Sequence, residues 1–308
     1  MRAIIPLGCV AAFRLAPPLA TPPRMRSATS SSSVRAAAAI EEETPAPLEP
    51  GFLSLSVGGK SLNGVGVLFG VAMSFWLVAV YPLVIVCGIF STLFDKKHRR
   101  SMDFVVGLWA RLSMLTCGYR PRLLNKEELP PRGEGVVYVP NHTSYLDIFT
   151  LSGFLPRPVK YVSKIEILRI PFIGWAMGLA GHVALRRTDR RSQLDSYKKA
   201  VDALKNGNSL VVFAEGTRSA DGRLQTFKRG PFKMAIDAGV DVVPVAIRDL
   251  YRWHPRFALM PLARPRGVEI AVLPRIRVAN NTPERILEDC YDAVNKALPP
   301  HQQGAPSP

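Results

Sequence analysis

The stretch Val136-Val137-Tyr138-Val139-Pro140-Asn141-His142-Thr143-Ser144-Tyr145-Leu146-Asp147 holds the change of pattern on which the fold reading of this 308-residue chain rests. The apolar run at 136–139 reads as a buried strand, and the polar residues after it as the loop leaving that strand. Ser144-x-x-Asp147 is the signature of a helix N-terminus, in which a hydroxyl caps the first turn and a carboxylate reaches back. On that reading His142 is only a loop residue. A second reading of the same letters is that a post-strand loop with histidine and aspartate five positions apart holds a general base over a cleft. The two are compatible, because a carboxylate in the first helical turn points back to where His142 sits. Accepting from one ring nitrogen, it would fix the tautomer and leave the other nitrogen free to take a proton.

Outward from this stretch the pattern alternates. Strands are expected at 136–139, 159–162, 182–186, 210–213, 242–247 and 268–272. Between them the spacing predicts helices at 102–117 and 189–206, the second with Leu194, Tyr197, Val201 and Leu204 on one face and Gly207 as its stop. Pro231 and Gly239 bracket a short helix, and Thr282-Pro283 opens a last one running to about residue 298. Strands alternating with helices give an α/β domain over 101–300, a mainly parallel sheet flanked by helices. Residues 301–308 are expected to be a disordered tail.

Residues 1–40 contain no Asp or Glu, five arginines, and the run Ser27-Ala28-Thr29-Ser30-Ser31-Ser32-Ser33, the composition of an organelle transit peptide. The apolar stretch after Met1-Arg2, up to Ala12-Phe13, adds the look of a short secretory signal and resembles the two-part presequence of complex plastids. With the Glu- and Pro-rich residues 41–50, residues 1–50 read as a plastid targeting presequence and linker. The charge-free run at 64–90 exceeds the roughly twenty apolar residues that cross a bilayer, so 51–100 is expected to be a membrane-associated helical segment. Pro82 and several glycines leave open a hairpin dipped into one leaflet. The basic run Lys96-Lys97-His98-Arg99-Arg100 then puts the downstream domain on the cytoplasm-equivalent face, which in a plastid is the stroma.

The formal net charge of +16 belongs to the folded part, since residues 1–50 carry five arginines against four glutamates. Scattered basic residues that follow a long apolar segment favour a membrane surface and phosphorylated substrates over nucleic acid. The cysteines, Cys9, Cys87, Cys117 and Cys290, have neither zinc-site nor disulfide-framework spacing, and no metal site or cofactor is expected.

In parallel sheets, ligands bind where loops leave the carboxyl ends of strands. Three such loops carry chemistry: His142 with Asp147, then Arg186-Arg187, then Glu215-Gly216-Thr217-Arg218-Ser219. A glycine in a tight post-strand turn lets backbone N–H groups approach an anion, and arginine adds a fork suited to phosphate. Taken alone, the Glu215–Arg218 turn reads equally as a β-turn with a surface ion pair.

Taken together, these segments resemble the glycerolipid acyltransferase family. Asn141-His142-(x4)-Asp147 resembles its first block, Gly181-His182-Val183-Ala184-Leu185-Arg186-Arg187 its second, Phe213-Ala214-Glu215-Gly216-Thr217-Arg218-Ser219 its third, and Val240-Asp241-Val242-Val243-Pro244-Val245 its fourth. Tyr161-Val162-Ser163-Lys164 and Ile173-Gly174-Trp175 resemble segments of its lysophosphatidic acid branch. Ala184 departs from the bulky residue usual in the second block, and Arg186 stands beside the matched Arg187. The resemblance implies acyl transfer from a thioester, acyl-ACP or acyl-CoA, to a hydroxyl of lysophosphatidic acid at a membrane surface, with glycerol 3-phosphate or another lysophospholipid as alternative acceptors. It implies His142 as general base, Asp147 as its orienting partner, and Arg187, Glu215, Gly216, Thr217 and Arg218 as substrate-binding residues. No G-x-S-x-G elbow surrounds Ser144, so it is expected to cap rather than attack. The reading outside enzymes is a basic membrane-binding module in which His142 and Asp147 form only a capped turn.

Overall fold

The computed structural model describes residues 55–57, 60–185, 190–264 and 266–305. The presequence expected at 1–50 lies outside them. A hairpin of β1 (Leu55–Val57) and β2 (Lys60–Leu62) leads into α1 (Gly64–Phe94) and α2 (Arg100–Thr116). There follow β3 (Arg122–Leu124), β4 (Val137–Pro140), α3 (Leu146–Phe154), β5 (Lys160–Lys164), α4 (Ile173–Ala180) and β6 (Val183–Leu185). The chain continues through α5 (Arg190–Lys205), β7 (Leu210–Val211), α6 (Gly230–Ala238), β8 (Val242–Arg248), β9 (Glu269–Val272) and α7 (Pro283–Ala297).

Seven strands make one sheet in the order β3-β9-β8-β4-β7-β5-β6. All pairings are parallel except β8 with β9, so the mainly parallel sheet expected from the alternating pattern is present. Strand β4 is buried throughout, as an inner parallel strand covered on both faces must be. Its side chains alternate: Val137 and Val139 join a core with Ala200 and Leu204 of α5, Phe232 of α6, and Ile286 and Val294 of α7. Val136 and Tyr138 face the other layer, with Leu146 and Leu151 at α3 and Met114, Phe69 and Ala72 from α2 and α1. There α2 lies so close on α3 that a Cβ added at Gly107 would come within 2.8 Å of the Ser152 carbonyl.

The apolar run 64–90 folds as one helix of 31 residues that extends to Phe94, with Pro82 inside it. At about 1.5 Å per residue it is roughly 46 Å long. Its N-cap, Asn63, accepts from Gly66 N (3.0 Å) and donates to the Leu262 carbonyl (2.5 Å), which anchors the first turn. One stripe is buried at both ends of the helix, at Gly66, Phe69 and Ala72 and again at Val80, Val84, Gly88 and Ser91. Side chains bridge α1 to α2 at Trp76–Thr116, at Trp109–Met73 and at Ser91–Ser101. The described residues accordingly form one compact unit, and α1 and α2 pack along the sheet domain. The basic run 96–100 is the turn between α1 and α2. Within it Arg99, at φ 55°, donates to the carbonyls of Gly178 and Leu179, both at 2.9 Å.

The tail expected to be disordered from residue 301 is ordered through residue 305. Gln302 is buried, its carbonyl accepts from Leu224 N (2.9 Å) and its side-chain oxygen from Asp249 N (2.8 Å). Gly304 N donates to Asn295 and Tyr291 donates its hydroxyl to the Ala305 carbonyl. Backbone groups that close a layer in this way are satisfied by the fold, not by water.

Candidate active site

Strand adjacency brings the expected loops together. Parallel pairing sets Val137 opposite Leu210 and Tyr138 opposite Val211, so the chains leaving β4 and β7 emerge side by side. They are then sewn together: Ser219 N donates to the His142 carbonyl (2.8 Å), and His142 N donates to Glu215 Oε1 (2.5 Å).

His142 and Asp147 form a pair. Nδ1 lies 2.8 Å from Asp147 Oδ2, and the same oxygen accepts from the backbone of Thr143 (2.8 Å) and Ser144 (2.9 Å). Three donors converging on one fully buried oxygen fix the carboxylate, so Nδ1 carries the imidazole proton and Nε2 keeps the lone pair. The imidazole stacks on Phe213, centroid to centroid 3.9 Å, which sets its plane. Ser144 is not the N-cap expected of it: Tyr145 holds that position with no side-chain capping bond, and the Ser144 hydroxyl closes the turn before it by accepting from Leu146 N (3.0 Å), where α3 begins. The turn and the His142–Asp147 pair therefore occupy the same seven residues.

His142 opens onto a cleft of about 560 Å³. Gly216, Thr217 and Arg218 line it, and apolar walls come from Ile148, Val162 and Leu259. Gly216 takes φ +74°, a left-handed conformation that favours glycine, and Lys228 lies beside it. Glu215 has a different place from the one expected. It is 3% exposed, does not line the cleft, and ends on backbone N–H groups of His142 and Gln225, the second at 3.1 Å. It braces the loop after β4 against the loop after β7. Arg187 and its neighbour Arg186 lie outside the described residues. Leu185, the residue before them, does line the cleft. Sequence reasoning missed Lys60, Arg256 and Lys228, all cations at or beside this cleft, because none belongs to a local pattern.

A smaller cavity of about 270 Å³ lies at the amino ends of β4, β5 and β7, bordered by His98, Arg100, Arg132 and Arg157. It holds no base–carboxylate pair of the His142 kind and sits away from the loops just described. Among the described residues no group of three or more His, Cys, Asp or Glu is arranged to hold a metal.

Burial pushes the Glu215 carboxyl from 4.5 up to about 8, against the two N–H donors that favour its charged form. Between those values the folded state holds a proton that the unfolded state has lost. Stability therefore falls as pH rises from about 4.5 to about 8. Glu215→Gln is expected to abolish that slope. It should also cost about 1–3 kcal/mol at pH 5, because an amide nitrogen cannot accept from one of the two backbone donors. Urea denaturation of both proteins between pH 5 and 8.5 measures the two effects together.

A family model for acyltransferases matches residues 120–248, the span that holds the loops after β4 and β7. A 1-acyl-sn-glycerol-3-phosphate acyltransferase of Chlamydomonas reinhardtii is 38% identical over 73% of this chain and 67% of its own length. A chloroplastic enzyme of the same name from Arabidopsis thaliana is 42% identical over 59% of this chain, and the match takes in about half of that relative, 49%. One from Pseudomonas aeruginosa is 31% identical over 70% of this chain and 78% of its own length. The crystal structure of a 1-acyl-sn-glycerophosphate acyltransferase from Thermotoga maritima superposes with a TM-score of 0.62 at 23% identity, over 75% of this chain and 94% of that one, a likeness of fold.

Proposed function

The chain belongs to the 1-acyl-sn-glycerol-3-phosphate acyltransferase family, and from that premise we propose that it moves a fatty acyl group from a thioester to the sn-2 hydroxyl of 1-acylglycerol 3-phosphate, giving phosphatidic acid. The observation that carries the reading is the His142–Asp147 pair opening onto the same cleft as the Gly216–Arg218 turn.

Nε2 of His142 takes the hydroxyl proton as the oxygen attacks the thioester carbonyl, Asp147 holds the imidazolium that forms, and the proton passes to the departing thiolate. A C–O bond forms, a C–S bond breaks, and no covalent enzyme intermediate is required. Arg218, with Arg187 and the Gly216 turn, holds the acceptor's phosphate, and the apolar walls take an acyl chain. Glu215 serves by fixing the loops, not by touching the ligand. The donor is acyl-ACP or acyl-CoA.

We place the chain on a membrane. The face of α1 opposite its buried stripe exposes Val71, Phe75, Val78, Ile85, Val86, Ile89, Phe90, Leu93 and Phe94. Such a patch is unusual for a surface that meets only water. Asn63 ties the start of α1 to the loop after β8 and Ser91 ties its end to α2, which supports a helix lying along the interface with this face in lipid. Chloroplastic relatives, with the composition of residues 1–50, support a plastid membrane with the domain in the stroma. Phe75→Glu combined with Phe90→Glu is expected to shift most of the protein from floating with anionic vesicles to the soluble fraction, since each buried phenyl contributes about 1.5–3 kcal/mol.

The activity itself is tested with purified full-length protein on vesicles, measuring thiol release with lysophosphatidic acid, glycerol 3-phosphate and lysophosphatidylcholine and with both donor types. Lysophosphatidic acid should show the highest kcat/KM. Equal or faster use of glycerol 3-phosphate would assign the chain to the other acceptor, and no thiol release with any acceptor would leave only a membrane-binding module.

A further inference from the structure

A second histidine sits behind the catalytic turn. His254 lies in the loop between β8 and β9, is fully buried, and places Nδ1 2.8 Å from Ser144 Oγ. Its ring packs edge-on to Tyr145 at 4.3 Å. Burial, together with the Arg218 guanidinium, lowers its pKa to about 4, so the ring is neutral where an acyltransferase works. Ser144 Oγ accepts from Leu146 N as well as bonding Nδ1 of His254. The hydroxyl is thereby held between two partners.

Ser144 is not an isolated residue. Its backbone N–H is one of the three donors on Asp147 Oδ2, and that oxygen aims His142. A continuous path of hydrogen-bonded residues runs from His254 through Ser144 and Asp147 to the base. The loop that carries His254 is itself tied down: Met260 Sδ accepts from the Tyr145 hydroxyl (3.2 Å), and the Leu262 carbonyl accepts from Asn63 at the start of α1 (2.5 Å). Arg256, Ala258 and Leu259 of the same loop line the cleft. A phenylalanine or leucine would fill the space as well, so the hydrogen bond is what a histidine adds at this position.

We propose that His254 is a positioning residue for acyl transfer, holding the Ser144 turn so that Asp147 keeps His142 in line with the acceptor hydroxyl. The proposal rests on the acyltransferase reading above. His254→Phe fills the site without the bond, and His254→Asn returns an acceptor near the place of Nδ1. Steady-state kinetics on vesicles should show kcat of His254→Phe lowered by about 10–100-fold, the scale of a small misplacement of a catalytic group, with KM for acceptor and donor within about twofold. His254→Asn should recover kcat to within about threefold of wild type. Ser144→Ala removes this bond and the one from Leu146 N, so it should lose at least as much kcat as His254→Phe, and the double variant should be no worse than Ser144→Ala.

An undiminished kcat in His254→Phe, an Asn variant no better than Phe, or losses that multiply in the double variant would each overturn the assignment. Failure of the underlying activity is seen separately, in a wild-type protein that releases no thiol with any acceptor.

Discussion

Replacement of His142 by alanine is expected to lower kcat by about 10²–10⁴-fold, the contribution of a positioned general base, while leaving acceptor KM within a few-fold. The acceptor hydroxyl has no other imidazole to take its proton. His254 is fully buried, and its Nδ1 is engaged by Ser144. Lys60, Arg218 and Arg256 line the cleft as cations and cannot act as bases while protonated. Asp147→Asn should fall within the same range by a different route. The carboxylate oxygen that accepts from Nδ1 also accepts from Thr143 N and Ser144 N, so an amide must offer its oxygen to all three or turn a donor toward one of them. If the amide nitrogen faces the ring, Nδ1 loses its proton to Nε2 and the lone pair leaves the cleft. Thiol-release kinetics on lysophosphatidic acid vesicles read both variants. A His142→Ala protein within a few-fold of wild-type kcat would remove the histidine from the chemistry.

The strand, loop and helix around this histidine were legible because each has a local cause. Four consecutive residues buried on both faces make an apolar run, and Ser144 and Asp147 close a turn within four residues. The terminal helix was legible for the same kind of reason: Thr282 accepts from Arg285 N (3.2 Å) and Pro283 starts the first turn. Helix α4 was missed because Ile173–Ala180 is apolar nearly all round and only eight residues long, so it has no periodicity to read. Strand β3 was missed because its three residues gain their identity from pairing with β9, far along the chain.

Glu215 illustrates a different limit. Its motif joins it to Gly216, Thr217 and Arg218, yet the turn sends the carboxylate under the loops and the other three to the cleft. Motif spacing marks a segment, and the backbone direction at each residue then decides which side chains meet ligand. His254 and Lys60 lie beyond that limit altogether. Their proximity to the site depends on the loop after β8 folding over the start of α1, a contact between segments about two hundred residues apart that leaves no local trace in the sequence.

Lys160→Met alone is expected to destabilise the protein by about 3–5 kcal/mol, and Asp103→Leu alone by a similar amount, whereas the double variant should lie within about 1 kcal/mol of wild type. Lys160 Nζ stands 2.9 and 3.0 Å from the two carboxylate oxygens of Asp103 and 2.9 Å from the Ala180 carbonyl. Both side chains are almost wholly buried, 3% and 5% exposed. Strand β5, helix α2 and the end of α4 thus meet at one ammonium. Burial raises the Asp103 carboxyl from 3.8 to about 6 and lowers the lysine, so each charge is tolerated because the other is there. Removing one partner strands the other in a site without water, while removing both leaves two apolar side chains of similar size.

The sign with pH follows from the raised carboxyl. Between pH 3.8 and about 6 folding takes up a proton at Asp103, so its contribution to stability declines as pH rises through that window, and the Asp103→Leu variant should lack this slope. Chemical denaturation of the two single variants and the double variant at pH 5 and pH 7 completes the cycle. Single-variant costs that simply add in the double variant would mean that the two side chains contribute packing and not a coupled charge pair.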